Sequence, residues 1–302
     1  MARERTEVEA RKQGAITTVT MQRFGLVAAF SKPEAAELAD EITAWLVGRN
    51  RVVVPEAELT ANATNEVDAI VVLGGDGLMM RAANSYPDTP LLGINFGKVG
   101  FLALVERTDW EFAMQAVLEQ TFKVEVGSTL AARLVRGEGE IDPGWSINDV
   151  VIRSGARMID IEVYIDGHYV NTYPGDGMIV STPRGSTAYC MAAGGPILTA
   201  GVRGFAIVPI SCHSPIRTPM VVAESALVEL VLANRHDAQL ILDGRTVASL
   251  QYRDAVKISQ GGHRFKLISV GGANFYDAFR NKFNFSIRPD AVPSRGPALN
   301  NR

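Results

Sequence analysis

The feature that most constrains this chain is a change of hydrophobic period near residue 122. Before it, short apolar runs alternate with helix-like stretches. After it, apolar and polar residues alternate almost one for one. Phe24 to Phe30 reads as a buried strand, and Ser31-Lys32-Pro33-Glu34 has the pattern of a capping box with Pro in the first turn. Ala35, Leu38, Ala39, Ile42, Trp45 and Leu46 then recur at helical spacing. Val52 to Val54, Ala69 to Leu73 and Leu91 to Ile94 are further strands, and a helix is expected to open at Gly77. Thr108-Asp109-Trp110-Glu111 is a second capping box, ahead of Trp110, Ala113, Met114, Val117 and Leu118 on one helical face. Strands alternating with helices predict an α/β unit with a parallel sheet covered on both faces.

In the second half, Ile159, Ile161, Val163 and Ile165 alternate with Asp160, Glu162 and Tyr164. Asp166-Gly167 can turn this strand onto Tyr169 to Tyr173, and Asp243-Gly244 can join Leu240–Leu242 to Thr246–Leu250 in the same way. Val221-Val222, Leu227 to Leu232, Val256 to Ile258 and Phe265 to Val270 complete a β-rich, antiparallel, sandwich-like half. Phe275, Phe279 and Phe283 return to helical spacing and predict a last helix packed on the first half. The expected organisation is a disordered leader (1–20), an α/β domain (21–122 plus 274–288), a β-rich domain (123–273) and a disordered tail (289–302).

Composition narrows the partners. Thirty Lys and Arg against 33 Asp and Glu give a net charge of −3, which argues against a general nucleic-acid binder. No window approaches 18 uncharged apolar residues, so no membrane span is expected. The first residues lack the apolar core of a secretory signal. Cys190 and Cys212 are the only cysteines, which predicts free thiols in a cytoplasmic, reducing setting. Four scattered His residues give no metal-ligand spacing.

The chemistry gathers in three places. Gly74-Gly75-Asp76-Gly77 directly follows an apolar strand and leads into a helix, outside the carboxyl end of a strand where α/β sheets bind ligands. Glycines there allow close backbone approach, and amides at a helix start attract phosphate. The negative Asp76 would repel phosphate, so it suits a metal partner or a base for an attacking hydroxyl. A tight turn with Asp facing water is the plain alternative. No G-x-x-x-x-G-K-[ST] and no G-x-G-x-x-G after a strand occurs. Asn148-Asp149 supplies donors and acceptors for ribose or base groups, or else an Asx turn that opens a strand. Gly175 to Tyr189 joins a Gly-flanked acid, a strand and a hydroxyl-rich turn, with Tyr189 available to stack on a base. It could equally be a structural loop.

Taken together, Gly74–Gly77, Ile94-Asn95-Phe96-Gly97-Lys98-Val99-Gly100-Phe101-Leu102, Asn148-Asp149 and Asp176–Pro196 occur in the order found in bacterial NAD kinases. Asp243–Gln251 and Phe275–Phe285 are also similar, so the resemblance runs from about Phe24 to Phe285. GGDG alone is shared with diacylglycerol, sphingosine and 6-phosphofructo kinases. Combined with the ND pair and DGxxxSTPxGSTAYxxxAGGP it is specific.

The resemblance implies transfer of the terminal phosphoryl group of ATP, or of polyphosphate, to the 2′-hydroxyl of the adenosine ribose of NAD, making NADP. It implies an α/β nucleotide-binding domain, a β-rich NAD-binding domain, and a homodimer or homotetramer. Asp76 would be the proton acceptor, and Gly74, Gly75 and Gly77 the phosphate loop. Gly77, Arg81, Asn148, Asp149, Arg157, Asp176, Gln251 and Thr187-Ala188-Tyr189-Cys190-Met191-Ala192 would contact NAD. Mg²⁺ would travel with the phosphates, since no protein cage is visible.

Departures from the family pattern are Leu78 for a usual Thr, Ala192 for a frequent Ser, Pro174 for a frequent basic residue, and Thr218-Pro219 for Arg-Pro with Arg217 displaced by one. Two other readings stay open: a non-catalytic NAD(P)-binding regulator, favoured by Leu78 and Ala192, and a lipid or sugar kinase sharing GGDG.

Overall fold

The computed structural model describes residues 21–29, 32–97, 100–199, 201–215, 217–271 and 275–283. The leader expected at 1–20 and the tail expected at 289–302 lie outside them, as do Ser31, Lys98 and Val99.

The first half carries β1 (Arg23–Ala28), β2 (Val52–Pro55), β3 (Ala69–Leu73), β4 (Leu91–Asn95) and the short β5 (Val105–Glu106). β2, β1, β3 and β4 lie side by side and all pair in parallel. Every residue of β3 and of β4 is buried, the mark of central strands covered on both faces. The alternating geometry of a strand explains how. Ala69, Val71 and Leu73 share a core with Leu38, Ile42 and Leu46 of the helix Pro33–Val47. Ile70 and Val72 point the other way, against Met79 and Ala82 of the helix Asp76–Ser85. Burial of each such Leu or Ile contributes about 1.5–3 kcal/mol.

The second expected capping box does not form, and the first turns on Ser31, outside the described residues. The helix Pro33–Val47 starts from Lys32 with no side-chain cap, relying on Pro33 in its first turn. The helix Trp110–Leu118 starts from Asp109, again without a side-chain cap. A 3₁₀ turn, Arg107–Asp109, feeds straight into it, and the Thr108 hydroxyl meets Asp109 Oδ1 at 3.4 Å.

The second half holds β6 (Phe122–Arg136), β7 (Gly139–Ser146), β8 (Asp149–Ser154), β9 (Ile159–Ile165), β10 (His168–Gly175), β11 (Gly177–Ser181), β12 (Gly204–Ile210), β13 (Met220–Ala223), β14 (Val228–Leu232), β15 (Ala238–Leu242), β16 (Arg245–Leu250) and β17 (Ala255–Val270). The stretches Val256–Ile258 and Phe265–Val270, expected as two strands, are one. The register of β17 slips between Gln260 and Arg264, where Gly261-Gly262-His263 interrupts the apolar pattern without ending the strand. β17 pairs antiparallel with β14 near its start and parallel with β4 near its end. It therefore carries one sheet from the α/β half into the β half, in the order β10-β9-β14-β17-β4-β3-β1-β2.

A separate antiparallel sheet, β13-β12-β11-β8-β15-β16, faces the β part of the first. Their inner faces share a core that includes Leu134, Ile152, Ile161, Phe205, Leu230 and Leu240, so this half is a sandwich. The expected last helix is present at Phe275–Phe283, and Phe275 stacks on Phe101 of the first half at 6.0 Å between ring centroids.

Candidate active site

The apolar β3 ends at Leu73, and Gly74-Gly75 turns the chain into the helix Asp76–Ser85. A Cβ at Gly74 would lie 2.7 Å from Leu78 Cδ2, so the glycine lets Leu78 fold over the turn and into the adjoining core. The Thr-to-Leu departure is thus spent on packing. Asp76 does not cap its own helix. Its Oδ2 accepts the Phe101 amide N–H at 2.9 Å, and its Oδ1 accepts those of Leu102 and Ala103 at 3.0 and 3.1 Å. A methyl group at Gly100 would overlap this carboxylate, which is the physical reason for glycine there. On the other side, a Cβ at Gly75 or Gly77 would meet no atom within 4 Å. Both glycines are exposed, so the turn presents backbone to open space, as a phosphate-accepting turn must.

A second set of residues meets where β8 starts, β11 ends and the β15–β16 hairpin turns. Asp149 lies opposite Ser181, and Val150 opposite Leu242. Asp243 holds the junction. Its Oδ2 accepts the Ile147 amide N–H at 2.8 Å, and its Oδ1 accepts those of Asn148 and Asp149 at 2.7 and 3.2 Å. Thr182 N–H donates to the Asn148 carbonyl at 2.9 Å, and a Cβ at Gly185 would strike that carbonyl. The Asn148–Asp149 pair is therefore clamped through its backbone, and Asn148 itself is half-buried. Asp149 is 5 % exposed; burial, with the neighbouring Asp243 carboxylate adding to it, pushes its carboxyl up to about 7. The fully buried Cys190 thiol is pushed up to about 11 by burial, opposed by a hydrogen bond with Ser181 and reinforced by Asp149. Cys190 is thus an inert wall thiol, and both cysteines are free.

Asn84 connects the two sets: from the third turn of the Asp76 helix its amide reaches Asp243 Oδ2 at 3.4 Å, and Arg245 reaches back to its Oδ1 at the same distance. A cleft of about 580 Å³ opens between the halves, lined among others by Phe101, Glu125, Arg184, Thr187, Arg264 and Phe275. That volume suits a small-molecule site. Phe101 and Thr187 bring the Asp76 segment and the Gly185–Thr187 turn to the same cleft.

The remaining expected residues are distributed as follows. Arg81 forms an ion pair with Glu56, whose hydrogen bond is the main influence holding its charge. Ala188, Tyr189 and Met191 are half-buried and Ala192 exposed, the last four of the Thr187–Ala192 run forming the short helix Tyr189–Ala192. The Tyr189 ring has the Arg153 guanidinium 5.8 Å from its centroid. Arg157 and Asp176 are exposed at the end of β8 and β11 away from Asp149, since Gly177 lies opposite Arg153. Four residue steps along β11, roughly 13 Å, separate that end from Ser181. Gln251, exposed beyond the end of β16, is on the same far side; its amide N–H donates to Asp254, which Arg136 also grips. The protomer thus brings Asp76, the Asn148–Asp149 pair and Thr187 to one region, and leaves Arg157, Asp176 and Gln251 at another.

Sequence reasoning did not single out Gly100, the Asp243 carboxylate or Glu125. Asp243 reads as a turn residue because its amide partners are 94 to 96 residues away. The G-x-x-G spacing ahead of Phe101 was the available signal for Gly100.

Residues 54–122 match the ATP-NAD kinase N-terminal domain and residues 147–270 the ATP-NAD kinase C-terminal domain. The chain is 55 % identical over 274 residues to an NAD kinase of Thermomicrobium roseum, covering 91 % of this chain and 95 % of that one. An NAD kinase of Geobacter metallireducens is 33 % identical over 89 % of this chain and all of its own length. Among solved structures, yeast NADH kinase complexed with NADH superposes with a TM-score of 0.79 at 18 % identity, over 92 % of this chain and 91 % of that one. An NAD kinase from Archaeoglobus fulgidus in complex with ATP gives 0.72 at 24 % identity, over 86 % and 98 %. At those identities the two structures speak for the fold. The matches to both domain families and to the sequence relatives go further: with its GGDG turn braced against the Phe101 segment, this chain belongs to the NAD kinase family.

Proposed function

We infer that this chain transfers the terminal phosphoryl group of ATP to the 2′-hydroxyl of the adenosine ribose of NAD, with Asp76 as the proton acceptor. The hydroxyl oxygen bonds to the terminal phosphorus, the bond from that phosphorus to the bridging oxygen breaks, ADP leaves, and the hydroxyl proton passes to the Asp76 carboxylate. The observation that carries this reading is the fixed carboxylate itself. Three amide N–H groups orient Asp76 beside an open glycine turn and next to a cleft of nucleotide size. A base held in one orientation loses no freedom at the moment of reaction.

In the same proposal, Gly74, Gly75 and Gly77 offer backbone to the phosphates, and Asn148 and Asp149 hold ribose and base groups of NAD. Asp149, with a value near neutrality, is available in part as a protonated donor. Thr187 to Ala192 form a wall of the dinucleotide pocket, and Arg81 borders it from the helix. Arg157, Asp176 and Gln251 reach the dinucleotide of a neighbouring copy in a homodimer or homotetramer. A cytoplasmic setting is part of the same proposal. Among the described residues no group of three His, Cys, Asp or Glu side chains is arranged to hold a metal. In this reading Mg²⁺ would travel with the phosphates and neutralise their charge.

Purified protein incubated with NAD, ATP and Mg²⁺, with NADP read by a coupled dehydrogenase, tests the function. NADP formation dependent on both substrates is expected. Binding of NAD without turnover would instead support a regulator, and phosphorylation of a lipid or sugar in place of NAD would support a different GGDG kinase.

A further inference from the structure

Arg184 stands between Pro183 and Gly185, at the one position of the hydroxyl-rich turn where a long cation enters the cleft wall. Its side chain is 12 % exposed. Nη2 lies 3.2 Å from Glu125 Oε2, and the guanidinium carbon sits 5.3 Å from the centroid of the Phe265 ring. Burial works against its charge, whereas Glu125 and then Asp76 favour it. A guanidinium keeps its proton in proteins, so a fixed positive charge lines the same cleft as Phe101, whose amide N–H the Asp76 carboxylate accepts. Glu125 is its one side-chain hydrogen-bond partner among the described residues, which leaves most of its five N–H donors available to a ligand in the cleft it lines. The cleft also holds Arg203 and Arg264 against Glu125 and Glu224, an excess of one positive charge over these five groups. Glu224 is engaged by the Ser128 hydroxyl at 2.8 Å, and among the described residues no ion pair holds Arg203.

We propose that Arg184 grips the phosphoryl group in transit, with Glu125 and the Phe265 ring holding its guanidinium fork in place. The proposal rests on the kinase reading above and adds to it the group that receives the transferred charge. As the bond to the bridging oxygen breaks and the bond to the ribose oxygen forms, the proton goes to Asp76. Arg184 exchanges no proton and donates hydrogen bonds to the phosphoryl oxygens. A consequence is specific to this geometry. The phosphate of NADP remains beside Arg184, whereas NAD has nothing there, so Arg184 discriminates product from substrate.

The test uses the full chain as wild type, Arg184→Lys and Arg184→Met, with NAD and NADP affinities from calorimetry alongside steady-state kinetics. Arg184→Met should weaken NADP at least about 10-fold and lower kcat by about 10²-fold, while NAD affinity stays within about twofold. Arg184→Lys should fall between, because an ammonium keeps the charge without the fork, and added guanidinium ion should restore part of the Arg184→Met activity. Equal losses for NAD and NADP, or no loss for either, would overturn the proposal; if Arg184→Met does not fold, the same comparison on Arg184→Lys decides. Wild type that makes no NADP would count against the kinase reading instead, while the binding comparison still judges Arg184.

Discussion

Two carboxylates in opposite halves of this molecule make the same pattern of bonds. Asp76 gathers the amide N–H groups of Phe101, Leu102 and Ala103, and Asp243 gathers those of Ile147, Asn148 and Asp149. Each pins a segment distant in sequence, and each carboxylate is held in a fixed orientation. What differs is the surroundings. Asp243 sits in a hairpin turn at φ 47°, its charge facing inward beside the buried Asp149. Asp76 opens a helix, with empty space beside Gly75 and Gly77 and a cleft behind Phe101. The hydrogen-bond pattern makes a brace in both places. Only at Asp76 does the brace lie beside an open glycine turn and a cleft.

The comparison breaks most sharply at Gly100. A methyl group there displaces the Asp76 carboxylate while touching nothing at Asp243. Gly100→Ala should lower kcat by about 10²–10⁴-fold, the usual worth of a positioned base, and lower stability by about 1–3 kcal/mol for each amide N–H that the displaced carboxylate leaves unpaired. A folded and fully active variant would show that this approach does not position the carboxylate.

The next effect is on stability near Asp243. Asp149 has an ordinary value of 3.8 and a folded value of about 7. Between about pH 4 and pH 7 the folded state binds the extra proton, so stability falls as pH rises through that window. Asp149→Asn stays neutral and should flatten this dependence, gaining as much as about 4 kcal/mol over wild type at pH 8. Urea melts of both proteins at pH 5 and pH 8 measure it; an unchanged difference between the two pH values would contradict the assignment.

Asp243→Asn should have the smallest effect of the three. It costs about 1–3 kcal/mol, because one amide N–H of residues 147–149 would face an NH₂ group in place of an acceptor. Thermal melting reads this loss, and kcat should fall far less than for Gly100→Ala.

Much of this was legible in the sequence. The strands Ala69–Leu73 and Ile159–Ile165 match their expected bounds, because one is an unbroken apolar run and the other alternates strictly. β12 was not legible: Pro209 lies inside it and argues against a central strand, yet the strand is wholly buried between β11 and β13. β6 and β7 were hidden for a different reason. Val124, Val126 and Ile141 are exposed in them, so their alternation does not sort apolar residues to one face. The capping box at Thr108 misled because a 3₁₀ lead-in, Arg107–Asp109, opens that helix instead. Asp76 was legible from its glycines. Its counterpart Asp243 was not, since nothing local distinguishes a turn Asp from one that holds three remote amides.

The central claim is that Asp76 takes the proton of the ribose hydroxyl, and kcat measured together with NAD affinity for Asp76→Asn tests it most directly. Asn keeps the size of the side chain and one carbonyl oxygen for the Phe101 segment while losing charge and basicity. The account predicts a fall in kcat of about 10²–10⁴-fold with NAD affinity changed far less. A raised KM with near-normal kcat would contradict it, and would reduce Asp76 to the kind of brace that Asp243 already is.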